Sequence, residues 1–136
     1  MELIRSGADS RPGPEEWFTG AVWLDEVASA RPPSRVQVLN VHFSPGARTA
    51  WHRHPFGQVL HVTGGEGLAQ RRGGPIEAIR AGDTLRFEPD EEHWHGGSPT
   101  RLMAHVAIQE ADDDGIPTYW GDHVSDDEYL SGPAAR

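Results

Sequence analysis

The run Gly46-Ala-Arg-Thr-Ala-Trp-His52-Arg-His54-Pro-Phe-Gly-Gln58 decides how the rest of the chain is read. Thr49 to His54 has the composition of a short strand, and the Pro-Phe-Gly triplet after it is a turn. Residues i and i+2 of a strand point to one side, so His52 and His54 project together, with Trp51 and Arg53 opposite. Gln58 opens the next strand beside them. Two imidazoles and a carboxamide thus converge from neighbouring strands. Downstream, Gly82-Asp83 leads to His93-Trp94-His95, a second same-face histidine pair. Where two such strands face each other across a barrel, three or four donors meet inside it. A single inward histidine is most often a core residue with a satisfied hydrogen bond. Two separated pairs, each beside a turn, point instead to a metal site.

Outward from this run, short β-rich segments alternate with turns. Val36 to Phe43 precedes Ser44-Pro-Gly46, Gln58 to Val62 ends at Thr63-Gly-Gly65, and Leu68 to Arg72 ends at Gly73-Gly74-Pro75. Ile76 to Arg80 ends at Ala81-Gly-Asp83, Thr84 to Phe87 ends near Pro89, and Leu102 to Gln109 closes the series. Upstream, Trp17 to Leu24 alternates as a strand does, and Ala30-Arg-Pro-Pro-Ser34 breaks it because proline removes ladder donors. Strands spaced by about 8–12 residues predict an all-β sandwich or barrel. No helical stripe precedes residue 110; Asp126 to Leu130 is expected as a last short helix. The chain reads as one domain over 1–136. Its core spans about 17–110, with a loose N-terminal arm at 1–16 and a solvated acidic C-terminal tail at 111–136.

The totals exclude whole classes of function. The 136 residues include no cysteine, so disulfides and thiolate metal sites are impossible and any metal takes nitrogen and oxygen ligands. Twenty-one acidic residues against twelve basic ones leave a formal charge of -9, which argues against nucleic acid as a partner. Much of that charge lies in Glu110 to Asp114 and Asp122 to Glu128. With no apolar leader and no run of membrane-spanning length, the chain is expected to be soluble and cytoplasmic, with no membrane partner. Gly64-Gly65 and Gly73-Gly74 lack the strand–helix setting of a phosphate loop, and no Gly-x-Ser-x-Gly elbow is present.

The spacing Gly46-x5-His52-x-His54-x3-Gln58-x6-Gly65 resembles the first motif of the cupins, with Gln58 where glutamate is usual. Gly82-x10-His93 resembles the second, with Pro89 one residue late and Asp90 at a usual glycine position. The resemblance implies a cupin jelly-roll β-barrel with short irregular extensions at both ends. Trp17-Phe-Thr-Gly20, Pro45 to His52, Gly57-Gln58, Ala69-Gln-Arg71, His93-Trp-His-Gly96, His105 and Ala107-Ile-Gln-Glu110 narrow it. Over about Gly13 to Tyr129 the chain is similar to the small bacterial cupins that include manganese-dependent hydroxynitrile lyases.

That likeness implies a divalent ion held by His52, His54, Gln58 and His93, with Mn(II) foremost and Fe(II), Zn(II) or Ni(II) as substitutes, and His105 as the base. Three imidazoles and a carboxamide would leave the ion's charge uncompensated, which strengthens it as a Lewis acid. The implied reaction is reversible cleavage of a cyanohydrin to an aldehyde and hydrogen cyanide, with Gln109 or His95 as donors to the departing cyanide. His105, Ala107 and Gln109 share one strand face, so base and donor line one pocket. A mononuclear metal-dependent dioxygenase and a non-catalytic metal- or ligand-binding cupin are the alternatives. A homodimer or homotetramer is expected, with Trp51 and Trp94 as packing or interface anchors. Leu39, Val41 and Phe43 share a face that walls either cavity or core. His42, His61 and His123 are given no role.

Overall fold

Period-two alternation in the sequence becomes alternating burial in the strands. The computed structural model describes residues 1–6 and 9–132. Along them run β1 (Arg11–Pro12), β2 (Phe18–Thr19), β3 (Val22–Ala28), β4 (Val36–Phe43), β5 (Arg48–Thr49), β6 (His52–Arg53), β7 (Gln58–Arg71), β8 (Glu77–Arg80), β9 (Thr84–Phe87), β10 (His93–Gly97), β11 (Met103–Glu110), β12 (Tyr119–Trp120) and α1 (Asp126–Tyr129). In β11, Met103, His105, Ala107 and Gln109 are buried while the residues between them are not. One antiparallel sheet runs β1-β3-β4-β11-β7-β9. A second runs β2-β5-β10-β7-β8, with β6 joining β10 and β12 joining β6. Because β7 belongs to both, the sheets close around one core: the all-β architecture that the strand spacing predicted, in the jelly-roll form that the resemblance implied.

Phe18, Val41, Phe43, Leu60, Val62 and Met103 fill the space between the sheets. Fully burying a side chain such as Leu60 stabilises the fold by about 1.5–3 kcal/mol. Trp51 and Trp94 lie on the opposite side of the histidine strands, packed with Leu68, Ile76, Val124 and Tyr129 of the same chain. Trp94 is fully buried, and its indole nitrogen donates to Gln70 Oε1 at 2.8 Å. Both tryptophans are therefore anchors within the chain.

Several boundaries depart from expectation, each for a local reason. Trp17 to Leu24 is two strands in two sheets, because Gly20 turns the chain at φ 82°. Gln58 to Arg71 is one strand of 14 residues, not two. Thr63-Gly64-Gly65 is a bulge: the register against β11 shifts beside Ala104 and His105, and β7 passes from one sheet to the other there. Gly65 has φ 73°, and a Cβ on it would stand 1.9 Å from the Leu102 carbonyl oxygen. Gly65→Ala is accordingly expected to destabilise the fold by about 3 kcal/mol or more, read as a lowered urea midpoint. An unchanged midpoint would mean that the bulge can relax.

The acidic tail is docked, although its acids stay in solvent. Val124 and Tyr129 are buried, the Trp51 amide donates to the Asp122 carbonyl while the Gly121 amide donates to the Trp51 carbonyl, and the Arg48 guanidinium donates to the Val124 carbonyl and Asp126. Ser125 and Glu128 form a capping box on α1, which starts where the expected helix did. In the N-terminal arm, Arg11 and Pro12 pair with Leu24 and Trp23 at the sheet edge. The parts of arm and tail at 7–8 and 133–136 lie outside the described residues.

Candidate metal centre

The interior histidines come from three places in the fold. His52 stands opposite His93 in the β6–β10 pairing, and His54 follows at the turn into β7. Gln58 starts β7, and His95 lies two residues beyond His93 on the same face of β10. Asp90, at the position where a glycine is usual, takes φ 61°, and its amide donates to the His54 carbonyl at 2.8 Å. The late proline leaves the turn intact, and His93 enters the barrel.

Each imidazole beside Gln58 is tied back by its Nδ1. His52 Nδ1 donates to the Ala50 carbonyl at 2.9 Å, His93 Nδ1 to the Glu91 carbonyl at 2.8 Å and His54 Nδ1 to the Pro117 carbonyl at 2.9 Å. These contacts fix the tautomer and leave each Nε2 as a lone pair. Gln58 Nε2 donates to Gln109 Oε1 at 3.0 Å, which turns Gln58 Oε1 toward His93 Nε2, also at 3.0 Å. Two lone pairs at that distance repel unless a proton or cation accompanies them. Burial pushes His93 down to about 3 and His54 down to about 4, so neither carries the proton at neutral pH. Burial, then the neighbouring imidazoles, holds His52 and His95 well below the usual histidine range as well.

His54 Nε2, His95 Nε2 and His105 Nδ1 are buried without a hydrogen-bond partner. One ring nitrogen each from His52, His93 and His95 lies within 4.8 Å of the other two. His95 thus stands beside the expected ligand group of His52, His54, Gln58 and His93. Neutral imidazoles braced at Nδ1, with one carboxamide oxygen, are a donor set that suits a divalent ion. The residues present fit such an ion.

A cavity of about 370 Å³ opens from this group, lined by His52, His54, Gln58, His95, His105 and Gln109 among others. Among the described residues that line it, none carries a carboxylate, ammonium or guanidinium group. Leu39 and Val41 form part of the wall, and Phe43 packs against the rings of His95 and His105. His105 Nε2 and His95 Nδ1 are 3.1 Å apart and share one hydrogen bond. Burial pushes His105 down to about 3. Gln109 is engaged on both sides, since its Nε2 donates to Gln37 Oε1 at 2.6 Å. Of the two expected donors to cyanide, His95 is the one with an unengaged ring nitrogen.

The remaining histidines stay outside. His42 pairs with Asp25, His61 with Thr84, and His123 with Thr19. Four contributors were not read from the sequence. Gln37 was recoverable, because it shares the inward face of Leu39, Val41 and Phe43. Phe87 stacks on His93 with centroids 3.6 Å apart, and Trp120 lies over His52 at 4.7 Å and stacks on Trp17 at 5.1 Å. Pro117 braces His54 from 63 residues away, a contact with no local signature.

Residues 39–106 match the cupin domain family. Over 130 residues the chain is 51% identical to the (R)-mandelonitrile lyase of Granulicella tundricola, covering 95% of this chain and 98% of that protein. A cupin-like protein from Thermotoga maritima superposes with a TM-score of 0.85 at 34% identity, over 100% of both chains. An acetylacetone dioxygenase from Acinetobacter johnsonii shares the fold at a TM-score of 0.62 and 17% identity, over 86% of this chain and 83% of its own.

Proposed function

The chain belongs to the cupin domain family, and on that premise we propose that it is a metal-dependent hydroxynitrile lyase, cleaving a cyanohydrin to an aldehyde and hydrogen cyanide and forming it in reverse. Similarity to a mandelonitrile lyase along nearly the whole chain supports a lyase. One feature of the site carries the chemistry: the hydrogen-bonded His95–His105 pair beside four inward lone pairs in an uncharged cavity.

His52, His54, Gln58 and His93 would hold the divalent ion, Mn(II) first and Fe(II), Zn(II) or Ni(II) as substitutes. When bound, such an ion supplies Lewis-acid polarisation of a substrate oxygen. His105, neutral because it is buried, takes the hydroxyl proton of the cyanohydrin. The carbon–carbon bond then breaks, the carbonyl forms, and the bonding pair leaves with cyanide. The His105–His95 hydrogen bond carries the positive charge between the two rings, and His95 returns a proton to cyanide, so hydrogen cyanide leaves with no net change in the protein. The apolar wall of Leu39, Val41 and Trp120 takes the organic part of the substrate and keeps bulk water from the departing ion.

The test is cleavage of racemic mandelonitrile by ion-replete protein under nitrogen. Benzaldehyde and cyanide are expected in equal amounts, with oxygen making no difference. Turnover that needs oxygen would instead favour the dioxygenase alternative, and ion binding with no turnover would leave a binding protein.

A further inference from the structure

Three glutamines stand in one register row across the first sheet. Gln37 of β4 is opposite Gln109 of β11, and Gln109 is opposite Gln58 of β7. All three border the same cavity. Their carboxamides run head to tail: Gln58 Nε2 donates to Gln109 Oε1, and Gln109 Nε2 donates to Gln37 Oε1. The row continues to Phe87 of β9, which faces Gln58 in register and stacks on the His93 ring. One line of residues across four strands therefore holds two of the side chains assigned to the ion.

A carboxamide is nearly symmetric in shape and wholly asymmetric in polarity. Turning Gln58 over replaces a lone pair by two N–H groups, and an N–H group repels a cation. His93 Nε2 rewards that turn, because it is a bare lone pair 3.0 Å from the end of Gln58. Without the ion, Gln58 left to itself would donate to His93 and close the site on itself. We propose that Gln37 and Gln109 are positioning residues, a one-way amide relay that keeps Gln58 Oε1 aimed at the ion. The relay rests on the metal-binding reading above. Buried amides are costly unless their partners match. Here the bonds run one way, from Gln58 through Gln109 to Gln37, and that sense is what a ligating amide needs before the ion arrives.

The test is a double-mutant cycle read as affinity for Zn(II) and Mn(II), by competition with a chromogenic chelator. Gln37→Met removes the acceptor at the end of the relay without changing charge, and is expected to weaken binding about tenfold. Gln109→Glu places an acceptor-only group against Gln58, which holds Gln58 whatever stands at position 37. Gln37→Met added to Gln109→Glu is therefore expected to change affinity by less than about twofold, the range of independent sites. Comparison within one background cancels the added charge, and melting of the ion-free proteins checks that each variant folds. Should Gln37→Met fail that check, Gln37→Ala closes the same cycle. No loss from Gln37→Met alone, or an equal loss in both backgrounds, overturns the relay and leaves the metal site standing. Wild-type protein that binds neither ion overturns the metal reading and the relay with it.

Discussion

Replacing His105 by alanine is expected to lower cyanohydrin cleavage by roughly two to four orders of magnitude, while the divalent-ion content of the protein stays at the wild-type level. His105 lies on β11, away from the ligand row, and its ring meets His95, Phe43 and the cavity. Loss of the imidazole therefore removes a proton acceptor and leaves the four proposed ligands in place. The ring is almost fully buried, so truncation also costs packing, and a melting curve must accompany the rate. Cyanide release at the wild-type rate from ion-replete His105→Ala protein would remove His105 from the mechanism and point to His95. An imidazole held near 3 by burial is a weak base toward an ordinary alcohol. Proton transfer then depends on the hydroxyl being acidified at the same moment.

Stripping the ion is accordingly expected to reduce cleavage to background, with recovery on adding Mn(II). His105→Ala in the stripped protein should cost almost nothing further, because both changes disable one step. Stability should follow. An ion that binds only the folded chain adds about 2.7 kcal/mol at a free concentration 100 times its Kd. At about 2–4 °C per kcal/mol, melting should fall by several degrees when a chelator is added to loaded protein. Full activity after complete removal of bound ions, confirmed by elemental analysis, would refute metal dependence. A lost rate with an unchanged melting temperature would indicate an ion held near its Kd or bound equally by the unfolded chain.

Much of this was legible because the relevant physics is local. The same-side projection of His52 and His54 follows from the pleat, and the alternation of Met103 to Gln109 appears directly as burial. Thr63-Gly64-Gly65 misled because a turn and a bulge ask the same of the chain, a positive φ with no Cβ in the way. What separates them is the partner strand, and Leu102 is remote in sequence. The tail misled differently. Its acids are exposed, as their density implied, but Pro117, Trp120, Val124 and Tyr129 are scattered among them without a period. Only the capping box Ser125-x-x-Glu128 advertised order there. The cross-strand matching of Gln37 with Gln109 depends on register, which spacing along one strand cannot specify.

The brace on His54 also places the site in time. A ribosome releases His54 long before Pro117, which follows it by 63 residues. Until that later segment folds across the barrel mouth, nothing holds the His54 ring in the tautomer that directs its Nε2 inward, and Trp120 does not yet cover His52. A half-made chain already carries the opening histidine pair but lacks the segment that braces it. The arrangement of the histidine group is thus completed only after the segment that follows β11 has been made and has packed against it.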